Sequence, residues 1–340
     1  MGNLGIIYHS LGDYPKAIEY HQQSLKIARN IENTLDEIAA LGNIGSAYLK
    51  LGNYPKAIEY NQQRLAIARD IKYLLGESQS LGNLGRIYHF SEDYPKAIDN
   101  YQQSLKIARE IKDPLSESQL LGNLGVVYRN LGDYSKAIDN QQQSLKIARK
   151  IKNRNLKGFA LSNLGFTYYE QGKLNLAENT LIESIKVRES LRNSELKDSQ
   201  KVLFFDTQRS TYRILQQVYI AQNKPDAALE ISERGRARAF VESLASRIFS
   251  NNKQLDKSTK PPTINQIKQI AKSQNTTFVQ YSIIVDEFKI AGKRQVKESQ
   301  LYIWVIKPTG EVTFRKADLK PLWQKENTTL DELVSTTRKS

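Results

Sequence analysis

Apolar residues recur three and four positions apart through the first part of the chain, as in Leu81, Leu84, Ile87 and Tyr88, the spacing of one face of an α-helix. The equivalent stripe in the preceding stretch breaks at Gly52 and Asn53, then resumes behind Pro55 with Ala57, Ile58, Leu65, Ala68 and Ile71. Glycine just past one helix and proline at the first turn of the next are stop and start signals. The pattern therefore predicts helical hairpins, with Gly85 small enough to let a neighbouring helix approach closely.

The hairpin repeats. Residues 2–29, 42–69, 82–109 and 122–149 are near copies with a period of 40, each ending in Ile-Ala-Arg. A drifted fifth copy spans 162–188, and Leu215, Tyr219 and Ala228 reproduce the spacing of Leu4, Tyr8 and Ala17 in a sixth. Tyr168 and Tyr219 are 51 residues apart, so the flanking helices of the fifth and sixth copies are longer. One such hairpin cannot bury its apolar stripe alone, whereas stacked copies can, and this makes a solenoid.

The run Leu, Gly, Tyr, then Gly-Asp-Tyr and Ala resembles the tetratricopeptide repeat, in the 40-residue variety of kinesin light chain and Leu-Gly-Asn-repeat scaffolds. The resemblance implies a mainly α, right-handed superhelical solenoid over residues 1–190, with five repeats and a shortened first one. Met1 stands where Leu41 stands in the next copy, so repeat one is expected to fray or to expose apolar surface. In this family the first helix of each hairpin lines the inner groove, and the positions that differ between copies set what binds.

Those positions are Ile6 and His9, then Ser46, Leu49 and Lys50, then Arg86, His89 and Phe90, then Val126, Arg129 and Asn130, then Phe166, Tyr169 and Glu170. Arginine, aromatic and aliphatic side chains together have the composition of a peptide-binding hot spot, and contain no catalytic set. Asn3, Asn43, Asn83, Asn123 and Asn163 form a column that does not vary. Asparagine is a poor helix former, so the column stands either as a ladder of amides for a peptide backbone or as a residue copied by duplication. The candidate groove residues are Asn43, Asn83, Asn123, Asn163, Lys50, Arg86, His89, Arg129 and Tyr169. His9 and His89 lie two repeats apart, too far to share a metal, and no catalytic, cofactor or metal site is expected.

Beyond the repeats the chain changes character. Residues 191–249 read as a sixth, longer hairpin and a bridging helix in which Arg234, Arg236, Arg238 and Arg247 alternate with apolar and acidic neighbours. Residues 250–263 are polar and end in Pro-Pro, the composition of a linker. Residues 264–340 read as a short helix, a strand at 276–286, a charged loop, and a strand-turn-strand over 301–319, a small incomplete α/β segment. Ser-Glu-Arg-Gly-Arg-Ala-Arg-Ala-Phe followed by these strands resembles the entry to a CHAT domain, the caspase-like module that follows such repeats in bacteria. In that family a His and a Cys carry the chemistry; here no histidine follows His89 and there is no cysteine, so the resemblance implies a truncated or split protein. A stub of that kind is expected to pack poorly alone or to await a chain carrying the rest of the domain.

Composition narrows the functions further. With Cys 0 among 340 residues there is no disulfide, thiolate metal site or thiol nucleophile. The amino terminus lacks a basic signal-peptide region and no apolar stretch reaches the roughly 20 residues of a membrane span, so the expectation is a cytoplasmic protein without membrane contact. The net charge of +14 invites a nucleic-acid reading. Residues 1–200 hold 26 basic and 22 acidic side chains against 24 and 14 in residues 201–340, so most of the excess lies outside the regular repeats. Three functions are weighed: a non-enzymatic scaffold holding a peptide or protein in the groove, one half of a split protease, and, last, a nucleic-acid binder.

Overall fold

The computed structural model describes residues 2–192, 198–235, 263–290, 293–326 and 328–337, and divides into two units. One comprises Met1–Lys173 with Lys186–Leu191, the other Leu174–Ile185 with Arg192–Ser340.

The first unit is built from α1 (Gly2–Ser10), α2 (Tyr14–Asn30), α3 (Thr34–Lys50), α4 (Tyr54–Asp70), α5 (Leu74–Phe90), α6 (Tyr94–Glu110), α7 (Pro114–Asn130), α8 (Tyr134–Lys150) and α9 (Arg154–Glu170). Each helix packs on the next in sequence, and each first helix also meets the following first helix, α3 with α5, α5 with α7 and α7 with α9. The hairpin turns follow from local chemistry. The side chains of Asp13, Asn53, Asp93 and Asp133 cap the second helices by accepting from the backbone N–H three residues on. Just before these caps the chain passes through φ of 72° at Gly52 and 78° at Gly132, the left-handed region that glycine enters without strain. Repeat three has Glu92 in the same place and still adopts φ 63°.

Inside each hairpin a glycine notch on the first helix receives one side chain of the second. Tyr101 fills the notch at Gly85 and Gln141 that at Gly125, while His21 and Asn61 take the same place at Gly5 and Gly45. The polar fillers are satisfied locally where they can be: Asn61 Nδ2 donates to the Ala57 carbonyl at 2.8 Å, and Thr167 Oγ1 donates to Gln141 Oε1 at 2.9 Å. Around Tyr101 a core of Ala97, Leu105, Ala108, Leu121, Leu124 and Val127 closes hairpins three and four. Successive repeats are also joined near their turns by Arg29–Glu37, Arg69–Glu77 and Arg109–Glu117, at 2.7, 2.8 and 2.8 Å.

Two sequence expectations need correction here. Ile71, expected in the buried stripe of α4, is the C-cap of that helix and 42% exposed. Leu49, read as a groove residue, is buried with Ala57 and Ile87, because it faces the hairpin interior. On α1, Leu4 and Ile7 are 43% and 52% exposed, whereas their counterparts Ile44 and Ala47 are wholly buried by the preceding hairpin.

The second unit contains residues of α10 (Leu174–Arg192), α11 (Asp198–Ala221), α12 (225–235), α13 (Ile264–Ser273), β1 (Phe278–Ile290), β2 (Lys293–Ile306), β3 (Val312–Asp318), α14 (Lys320–Lys325) and α15 (Leu330–Thr337). The strands form an antiparallel sheet in the order β1-β2-β3. The segment expected as a charged loop is instead the far half of the β1-β2 hairpin, where Asp286 pairs with Lys297 and Glu287 with Val296. Antiparallel pairing satisfies the backbone there while the charged side chains remain in water.

The sheet does not stand alone. Its inner face, Ile284, Tyr302, Trp304 and Ile306, shares a core with Ala228 and Leu229 of α12 and Ala271 of α13. Trp304 is fully buried, and its Nε1 donates to the Pro225 carbonyl at 2.9 Å at the start of α12. Lys268 pairs with Asp226 at 2.9 Å. The bridging helix beyond residue 235 and the linker at 250–262 lie outside the described residues, as do Arg236, Arg238 and Arg247.

Candidate functional site

The first helices carry the candidate site because helical spacing puts the residues three, six and seven positions after each asparagine on one broad face. Asn43, Asn83, Asn123 and Asn163 occupy equal places on α3, α5, α7 and α9 and are all half-buried. Asn163 Nδ2 is buried without a hydrogen-bond partner. Thr167 Oγ1, which donates to Gln141 Oε1, also lies 3.0 Å from the Asn163 carbonyl, and neither contact uses the Asn163 amide.

Further along the same face the structure brings several expected residues together and leaves others apart. Asn130 Nδ2 lies 2.9 Å from His89 Nε2, joining α7 to α5. Arg129 places its guanidinium carbon 4.2 Å from the ring centre of Phe166 and its Nε 3.6 Å from the Glu170 carboxylate, joining α7 to α9. Tyr169 is half-buried near the end of α9. Lys50 is exposed at the end of α3 and Arg86 half-buried on α5, with Arg86 Nε lacking a hydrogen-bond partner.

His9 Nε2 is likewise buried and unpartnered. Burial and the nearby charges of Lys50 and Arg86 push its pKa below the ordinary imidazole value. Among the described residues no three His, Cys, Asp or Glu side chains are grouped to hold a metal. None of the described helices is long and apolar enough to cross a membrane.

Sequence reasoning passed over the polar side chains buried inside the hairpins. Arg64 lies against Gly42 and donates to Gln79 Oε1 at 2.6 Å, and Ser78 and Ser104 exchange hydrogen bonds across hairpin three, as do Ser118 and Ser144 across hairpin four. The signal was present: these residues vary in a column directly opposite small ones.

The sequence model described as "Tetratricopeptide repeat" matches residues 1–70 and 116–190, and a second model of the same description matches 80–115. The chain is a tetratricopeptide-repeat protein. Among curated proteins, Tetratricopeptide repeat protein 28 of Homo sapiens is 33% identical over 117 residues, 34% of this chain and 4% of that protein, and its Mus musculus counterpart is 33% identical over 108 residues, 32% and 4%. This tetratricopeptide-repeat chain thus matches only a small part of those relatives. Among solved structures, BtubC from P. vanneervenii is similar with TM-score 0.58 and 18% identity, covering 72% of this chain and 96% of that one. A Rap protein complexed with Competence and Sporulation Factor gives 0.52 and 14%, covering 72% and 75%. At these identities the likeness shows the solenoid fold.

Proposed function

We propose that this tetratricopeptide-repeat protein is a non-enzymatic scaffold that holds a peptide or protein segment along the face of its first helices. The observation that carries the reading is the contiguous layer made by α3, α5, α7 and α9, lined by half-buried asparagines, cations and aromatics. Successive first helices contact one another directly, α3 with α5, α5 with α7 and α7 with α9. Half-buried amides and guanidinium groups with unused hydrogen-bonding atoms favour an extended segment whose carbonyls and side chains complete them. A Rap protein of the same fold, complexed with Competence and Sporulation Factor, supports a binding role for a solenoid of this kind.

We further read residues 264–340 as the opening part of a CHAT-like module. The exposed Val279, Tyr281 and Ile283 on alternate positions of β1 support an apolar sheet face made for another layer. Residues 1–340 hold no cysteine, so catalysis of the CHAT type would draw on residues outside them.

Affinity capture with the full chain beside an Asn83→Ala/Asn123→Ala variant tests the groove. A partner retained by the wild type and lost by the variant, at unchanged helix content, supports it. Equal retention by both removes the asparagine column from the binding role and returns it to duplication.

A further inference from the structure

The turns that lead from one repeat to the next begin alike, with the arginine near the end of each second helix, and then diverge in charge. Residues 29–37 hold one basic and three acidic side chains, 69–77 two and two, 109–117 two and three, and 149–157 five and none. Glu37, Glu77 and Glu117, which pair with Arg29, Arg69 and Arg109 across the first three junctions, have Lys157 in their place at the fourth. Lys150 stands where Asp70 and Glu110 stand, and Lys152 where Glu32 stands. In a chain of near copies, this junction alone has exchanged every carboxylate for a cation or an amide.

The structure presents these cations outward. Lys146 lies one turn before Lys150 on α8, Lys152 sits in the turn at φ 54°, and Arg154 opens α9. All four are exposed, and among the described residues no ion pair holds any of them. Such a cluster favours a ligand with closely spaced negative charges, whose counterions are released on binding.

The same turn has lost apolar surface. Asn155 replaces Leu35, Leu75 and Leu115, of which Leu35 and Leu115 are exposed, and Ile151 is half-buried where Ile31 and Ile71 are exposed. A protein interface draws on an apolar centre, and a membrane surface on apolar groups that insert. Cations and an exposed amide without either suit the phosphate backbone of a nucleic acid, which Arg, Lys and Asn side chains all contact.

We infer that the α8–α9 junction binds the phosphate backbone of a nucleic acid, without regard to base sequence, through Lys146, Lys150, Lys152 and Arg154. The surface is made by the end of one second helix and the turn beyond it, so it goes beyond the groove reading and does not depend on the asparagine column.

Fluorescence anisotropy of a fluorescein-labelled DNA duplex of ~20 base pairs, titrated with the full chain between about 50 and 200 mM salt, tests this. Four phosphate contacts give a logarithmic salt slope of about −3.6, so affinity should fall roughly 100-fold over that range. Lys146→Gln/Lys152→Gln is expected to reduce the slope by about 2 and to weaken binding at the lower salt about tenfold. Lys26→Gln/Lys72→Gln removes two exposed cations at the equivalent positions of earlier repeats and should change affinity less than about twofold. Both pairs alter exposed side chains, and equal denaturation midpoints check that they fold. No saturable binding, or an equal loss in the Lys26/Lys72 pair, would overturn the inference. So would hexaglutamate or phosphatidylglycerol vesicles bound as tightly as the duplex with the same Lys146/Lys152 dependence. Asn83→Ala/Asn123→Ala should bind the duplex as the wild type does; a loss there, with the Lys146/Lys152 pair unaffected, would move binding to the groove and remove this site.

Discussion

Tyr101 packs its ring into the notch at Gly85 so closely that a methyl group there would sit 2.7 Å from ring Cδ1. On the same helix, Gly82 has only ordinary contacts, the nearest being Ser104 Oγ at 3.5 Å. Gly→Ala in a helix ordinarily stabilises by up to about 1 kcal/mol, so the two sites separate propensity from packing. Gly82→Ala is expected to raise stability by roughly 0.5–1 kcal/mol, and Gly85→Ala to lower it by about 1–3 kcal/mol through overpacking. Urea denaturation of the two variants beside the wild type measures both signs; a stabilised Gly85→Ala would show that Tyr101 yields freely.

Glu92 holds φ 63° where the other hairpins place Gly12, Gly52, Gly132 and Gly172. A side chain in that region costs about 1 kcal/mol, partly offset by the extra freedom glycine has when unfolded. Glu92→Gly should therefore stabilise the protein by about 0.5 kcal/mol, read as a higher denaturation midpoint at unchanged slope. A loss of stability would mean that the Glu92 side chain contributes more than its backbone costs.

His21 is buried against Gly5, and burial, then the nearby His9, lowers its pKa from the ordinary 6.5. The folded state thus favours the neutral ring while the unfolded chain takes up a proton near 6.5. This contribution is complete above that pH and is lost progressively as pH falls below it toward the folded-state value. His9, lowered in the same direction, acts with the same sign. Amide exchange in α1 and α2, corrected for its intrinsic rate, should accelerate between pH 7 and pH 5.5, and His21→Gln, which imports the residue of repeat four, should reduce that change. An identical pH response in the variant would exclude His21 as its source.

Trp304 closes the core of the second unit and donates to the Pro225 carbonyl. Trp304→Phe removes the hydrogen bond and should cost about 1–3 kcal/mol, while Trp304→Ala adds a cavity and should cost about 3–5 kcal/mol. Hydrogen exchange is expected to rise in β1, β2 and α12 and to stay unchanged in α3–α8, since the two sets belong to different units. Loss of protection throughout would show that the units unfold together.

Much of this architecture is legible along the chain because its causes are local. The period of 40, the Asp and Asn caps and the glycine turns each depend on residues within one or two turns or on a near copy elsewhere. The asparagine column and the cations of the first helices were readable for the same reason, since helical spacing alone assigns them a common face.

What the tertiary structure decided are the choices that local spacing leaves open. Helical periodicity places Leu49 within one turn of the groove positions, yet only the packing of α3 on α4 and α5 turns it into the core with Ala57 and Ile87. The pairing of Arg129 with Glu170, 41 residues away, and the bond from Trp304 to Pro225, 79 residues away, depend on elements meeting in space. So does the β1-β2 hairpin, whose charged half has no apolar alternation to announce it and is held by its partner's backbone. The amino-acid order determined the repeating unit; stacking determined which of its polar groups find partners and which, at His9 and Arg86, are left without one.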